Sequence, residues 1–161
     1  MGNIEKKLKF VHIAGTNGKG STAAMTASIL RKAGYRTGLY TSPYIYRFNE
    51  RMQVDGVEIT DEELVAVTEY VKPLADSMEE SPTEFELVCC IAFEYFVRKQ
   101  CDIVVLEVGM GGAFDATNVI ETPEVAVITN LNLTISSSII SDKQTICFDR
   151  RMNTLDKVTL K

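Results

Sequence analysis

Short apolar runs alternate with longer stretches of helical periodicity over the first 130 residues, the pattern of a mostly parallel sheet covered by helices on both faces. The first run, Phe10 to Ala14, predicts a strand. Ser21 to Ala33 then carries Met25, Ile29, Leu30 and Ala33 at helical spacing, with Gly34 placed to end the helix. A second strand is expected at Thr37 to Thr41; Pro43 cannot continue a central strand, so the chain leaves the sheet there. With right-handed connections, that exit lies at the same edge as the loop after the first strand. Gln53 to Ile59, centred on Asp55-Gly56, reads as a small hairpin. Thr60 and Glu63 form a capping box before a helix over 61–78, whose Leu64, Val67, Val71, Leu74 and Met78 make one apolar stripe. Ser81-Pro82 interrupts the chain, and Thr83 with Glu86 opens a further helix in which Phe85, Val88, Ile91, Ala92, Tyr95 and Phe96 leave little polar face. Asp102 to Val108 is the most apolar strand, and Val125 to Thr129 is the last one expected. Residues 131–161 are rich in Ser, Thr and isolated charges, the composition of a divergent or disordered tail.

The first strand runs into Gly15-Thr16-Asn17-Gly18-Lys19-Gly20-Ser21-Thr22. Glycines here let the backbone turn its amides inward, so N–H groups and the positive end of the following helix converge on one anion, and Lys19 adds a full charge. A glycine-rich turn without a ligand is the competing reading, but it leaves a lysine among inward amides with nothing to neutralise it. The spacing departs from the general phosphate-loop pattern: two residues rather than four separate Gly15 from Gly18, and glycine rather than Ser or Thr follows the lysine.

Glu107 ends the most apolar strand and precedes Gly109-Met110-Gly111-Gly112. A carboxylate at a strand's C-terminal tip, facing a phosphate loop on a neighbouring strand, suits magnesium held directly or through water; a glutamate solvated by the glycine loop is the alternative. Ser42 reads equally as a turn residue or as a hydroxyl ligand near phosphates. Asp115 reads equally as the start of an Asx turn or as a binding residue. His12, inside the first strand, reads as a packed or hydrogen-bonded core histidine.

The 161 residues, 45% hydrophobic and 24% charged, fit one globular domain with a sizeable core. Seventeen basic and twenty-two acidic residues give a net charge of −5, which argues against a nucleic-acid surface. The cysteines at 89, 90, 101 and 147 form no Cys-x-x-Cys pair, and with one histidine they make no zinc set. Neither a signal-peptide core nor a membrane-length apolar run is present, so a cytoplasmic protein is expected.

The loop Gly-Thr-Asn-Gly-Lys-Gly-Ser-Thr, the stretch Gly-Leu-Tyr-Thr-Ser-Pro-Tyr-Ile-Tyr-Arg-Phe-Asn-Glu-Arg and the segment Glu-Val-Gly-Met-Gly-Gly-Ala-Phe-Asp-Ala-Thr-Asn occur in that order. Together they resemble the folylpolyglutamate and dihydrofolate synthases of the Mur-ligase superfamily. The resemblance implies an α/β, P-loop-containing fold like the Mur-ligase central domain, incomplete here, with 1–130 as a partial ATP-binding domain and 131–161 as the tail. It implies ATP and Mg2+ as cofactors, with folate or dihydropteroate and L-glutamate as substrates joined through an acyl phosphate by a monomer.

Residue by residue, the resemblance assigns Gly15, Thr16, Asn17, Gly18, Lys19, Gly20, Ser21 and Thr22 to the nucleotide, Lys19 and Glu107 to catalysis and Ser42 and Glu107 to the metal. Thr83 and Asp115 fall to the pterin-bearing substrate. The family's Asp-His pair and Lys-Ala-Gly-Ile segment have no counterpart; Leu131 to Ile135 stands where the pair belongs. A truncated chain with weak nucleotide affinity and little ligase activity is therefore expected. The rival expectation is a nucleotide-binding fragment that serves as a binding module, docking on a partner that supplies the missing half.

Overall fold

A strand that is apolar at every position has no solvent face and must pair in the middle of a covered sheet. Two runs approach that condition: β1 (Phe10–Ala14), buried throughout with His12 as its one polar residue, and β5 (Ile103–Glu107), buried from its second residue and polar only at its last, Glu107. The structure, a computed structural model, describes residues 1–110 and 115–130 together with two short strands at 145–147 and 157–158. Between the central strands come α1 (Lys19–Lys32), β2 (Thr37–Tyr40), the hairpin β3 (Met52–Val54) and β4 (Val57–Glu58), and helices α2 (Asp61–Asp76) and α3 (Glu84–Arg98). Strand β6 (Val125–Ile128) follows, then the short β7 (Thr145–Cys147) and β8 (Lys157–Val158).

The sheet order is β4-β3-β2-β5-β1-β6-β7-β8. The five strands from β2 to β7 in that order run parallel, and β3, β4 and β8 pair antiparallel at the two ends. Asp55 and Gly56 both take positive φ in the β3–β4 hairpin, as a two-residue turn matching the twist of its strands requires. Strands β7 and β8 add to the strands expected from sequence; runs of three and two residues carry too little periodicity to register. The expected tail over 131–161 otherwise lies outside the described residues.

Side-chain alternation splits the core in two. Phe10, Tyr40, Val104 and Leu106 face α2 and α3, where Val67, Val71, Val88, Ile91, Phe93 and Phe96 complete the larger cluster. Val11, Ile13, Leu39, Val105 and Val127 face α1 and meet Ala23, with Ala27 and Leu30 beside them. Here the structure corrects the expected stripe: Met25 and Ile29 are 60% and 68% exposed. The sheet beneath α1 is already bulky, so the alanine face lets the helix lie close, and Met25 and Ile29 point away. The end of the α2 stripe is corrected likewise. Leu74 is partly and Met78 largely exposed, lining a cleft of about 770 Å³ between the end of α2, the start of α3 and the first residues of the chain.

His12 occupies the α3 face of β1 and is buried. Its Nε2 lies 2.9 Å from Thr117 Oγ1, and the Thr117 hydroxyl donates to Asp115 Oδ1 at 2.5 Å. The hydroxyl has one proton and gives it to the carboxylate, so Nε2–H of a neutral imidazole is the donor to Thr117. Burial pushes the His12 pKa down to about 4, against the opposing pull of the Asp115 charge.

Two predictions follow from this packing. A Cβ on Gly38 would come within 2.8 Å of the Phe96 ring and 3.1 Å of Val104, so Gly38→Ala should cost about 1–3 kcal/mol, read as a lower urea midpoint. Because the folded pKa of His12 lies below its unfolded value, the unfolded chain binds more protons between about pH 4 and 6.5, and stability is lost as the pH is lowered through that window. The native protein should lose about 2 kcal/mol more than His12→Gln between pH 7 and pH 5, measured by urea denaturation at each pH; equal losses would refute the assignment.

Candidate nucleotide site

Parallel register decides whether the candidate residues can meet. Ile13 pairs with Glu107, Tyr40 with Leu106 and Ala14 with Ile128, so the C-terminal tips of β1, β2, β5 and β6 share one edge of the sheet. Everything the chain places just after those tips converges there: the glycine loop, Ser42, Glu107 itself and Thr129-Asn130.

Gly18 caps α1 with φ +80°, a conformation that suits glycine, and turns the chain so that the first-turn amides of the helix point outward at the edge. Gly20, in that first turn, lies against the Glu107 carboxylate: its Cβ position is 3.5 Å from Oε2. Lys19 Nζ donates to the Gly15 carbonyl at 3.1 Å, and Thr22 bonds back to the Gly18 carbonyl through both its amide and its hydroxyl. Among the described residues no ion pair joins Lys19 to an acidic group.

Glu107 is 5% exposed and accepts from the Ser42 amide at 3.1 Å. Burial raises its pKa; the Ser42 hydrogen bond and the Lys19 charge pull the other way without cancelling that effect. A carboxylate in this setting lacks a full set of partners, and oxygen donors from Glu107 and Ser42 fit a hard divalent cation that keeps most of its other ligands as water or phosphate. Among the described residues no three His, Cys, Asp or Glu side chains gather as a self-sufficient metal cage.

The loop carrying Ser42 is stapled. Glu50 accepts from the amides of Ile45, Tyr46 and Arg47, foremost among them Ile45, which holds its carboxyl below the ordinary range. Arg51 covers the Tyr44 and Phe48 rings, and the Ser42-Pro43 peptide is cis.

Lys19, Gly20, Ser42 and Glu107 are thus brought together. Asn17 differs from expectation: its amide, placed by the sequence among those turned inward, donates to Asn130 Oδ1 at 2.8 Å. Asp115 stands apart from the loop, beyond Gly109, and is spent on local bonds from Met110 N, Thr117 N and the Thr117 hydroxyl. A Cβ on Gly109 would strike the Phe85 ring at 2.5 Å and Asp115 Oδ2 at 2.9 Å, so Asp115 and the start of α3 meet across that glycine. Thr83 is exposed as the N-cap of α3, with its hydroxyl donating to Glu86. Gly111 and Gly112 lie outside the described residues. Sequence reasoning missed Thr129 and Asn130, although their place just past a strand tip at the binding edge was a usable signal.

The chain matches the Mur ligase middle domain over residues 13–133. It is 47% identical over 136 residues to a dihydrofolate synthase/folylpolyglutamate synthase of Bacillus subtilis, which covers 81% of this chain and 31% of that protein. Its fold superposes on a folylpolyglutamate synthase from Thermotoga maritima with a TM-score of 0.84 at 39% identity, covering 93% of this chain and 39% of that one. An FPGS complex with AMPPCP and folate gives a TM-score of 0.83 at 36% identity, covering 91% and 40%. The chain spans about a third of the length of the curated relatives it matches. With a glycine loop, a serine and a buried glutamate at one sheet edge and this match over most of its length, the chain belongs to the Mur ligase middle domain family.

Proposed function

We propose that this chain forms the ATP-binding part of a ligase of the folylpolyglutamate or dihydrofolate synthase type. The supporting observation is the meeting of Lys19, the first turn of α1 and the buried Glu107 at one sheet edge. On this reading, a triphosphate with Mg2+ lies between the lysine-bearing loop and Glu107. Lys19 and the first-turn amides of α1 neutralise phosphate oxygens, and Glu107 with Ser42 holds the ion. Bound magnesium supplies charge stabilisation during transfer of a phosphoryl group. The acceptor is a folate or pteroate carboxylate, which becomes an acyl phosphate; the amine of L-glutamate attacks it and phosphate leaves as the amide forms. None of the named residues acts as a nucleophile, so their contribution is placement and charge. Thr83 and Asp115 fall on the pterin side in this scheme, where Phe85 and Asp115 meet at Gly109.

Titration calorimetry with AMPPCP and Mg2+ tests this reading. Lys19→Ala should weaken binding at least tenfold, about 1.4 kcal/mol or more; native affinity in that variant would sink it. Glu107→Gln should remove the Mg2+ dependence of binding while leaving thermal stability equal or higher without ligand, because burial penalises the ionised carboxylate above its raised pKa. Amide formation from ATP, glutamate and dihydropteroate or a reduced folate, abolished by Lys19→Ala, would establish turnover. Binding without turnover would favour a nucleotide-binding module instead.

A further inference from the structure

The residues immediately after β6 are hydrogen-bonded to the glycine loop that follows β1. The Thr129 hydroxyl donates to the Asn17 carbonyl at 2.7 Å, with the Ala14 carbonyl 3.3 Å away. Asn130 accepts twice: its Oδ1 takes the Asn17 amide at 2.8 Å and its backbone carbonyl takes the Thr16 amide at 3.0 Å. Both polar atoms of the Asn17 backbone are therefore held by a neighbouring strand. Gly15 is shaped to the same contact, since a Cβ there would sit 2.0 Å from Thr129 Oγ1 and 3.1 Å from the Asn130 carbonyl.

We propose that Thr129 and Asn130 are positioning residues that set the phosphate loop in its binding conformation before any ligand arrives. This rests on the nucleotide reading above. The physical reason is electrostatic as well as entropic. A loop carbonyl turned toward a polyphosphate repels it, and a loop free to rotate must be ordered at the moment of binding. The Thr129 hydroxyl takes the Asn17 carbonyl out of the site, as Lys19 does for that of Gly15. What remains facing the anion is the start of α1, where the amides of Lys19, Gly20 and Ser21 precede the first intrahelical bond from Thr22 to Gly18, and the lysine charge.

The test compares Asn130→Ala, Thr129→Val and Thr129→Ser with the native protein, using Mg2+-AMPPCP and inorganic tripolyphosphate as titrants and amide hydrogen exchange on the free protein. Asn130→Ala and Thr129→Val should each weaken both titrants tenfold or more and speed exchange of the Asn17 amide by at least tenfold. Thr129→Ser, which keeps the hydroxyl, should stay within about threefold of native. A purely structural role would lower the melting temperature of all three variants in proportion to any loss of affinity. Native affinity in Asn130→Ala and Thr129→Val, or unchanged exchange at Asn17, would overturn the proposal. If the native protein binds tripolyphosphate but not AMPPCP, the nucleotide reading fails and the positioning role is judged on tripolyphosphate alone; binding of neither overturns both.

Discussion

A carboxyl group buried at the tip of a central strand is the constraint on which the site depends. Glu107 sits where water is nearly excluded, with one amide bond and a lysine nearby that is bonded elsewhere. Leaving such a carboxylate ionised and short of partners costs several kcal/mol in a folded protein. On the proposed reading, a cation and its phosphates would complete the set. The parallel register is what makes completion possible, because it lines up the ends of four neighbouring strands so that each sends its following loop to the same edge.

The glycines around that edge are there for different reasons. Gly18 is placed by its backbone dihedral at the helix start, whereas Gly15 is placed by crowding from β6 and Gly109 by crowding between α3 and the Asp115 loop. A further link runs beneath them: His12 in β1 reaches Thr117, which reaches Asp115, tying the strand that carries the glycine loop to the loop beyond β5 through buried groups. The two halves of the edge are thereby braced against each other by the larger core.

Much of this was legible in the sequence, for identifiable reasons. Capping boxes at Thr60 and Thr83 and the turn at Asp55-Gly56 are local chemistry, and each formed as read. The apolar runs located the central strands because burial on both faces leaves almost no polar position, His12 and the terminal Glu107 apart, to confuse the period. The inward face of α1 was not legible: Met25 and Ile29 fit a helical stripe as well as Ala23 and Ala27 do, and only the bulk of the opposing sheet selects the smaller set. The grip of Thr129 and Asn130 on Asn17 was hidden too, since more than a hundred residues separate the partners and no spacing rule spans that distance.

Strand order also shapes how the chain can be made. β1 lies between β5 and β6, which are encoded some ninety and more than a hundred residues later, so its ladder stays open on both sides until those strands have been made. A nascent chain ending near residue 100 already holds the glycine loop, α1 and the β3–β4 hairpin, yet has none of the hydrogen bonds that join β1 to the sheet. Closing such distant pairings is slow and leaves strand edges bare in the interim. The glycine loop is thus made well before the strands that give it its shape.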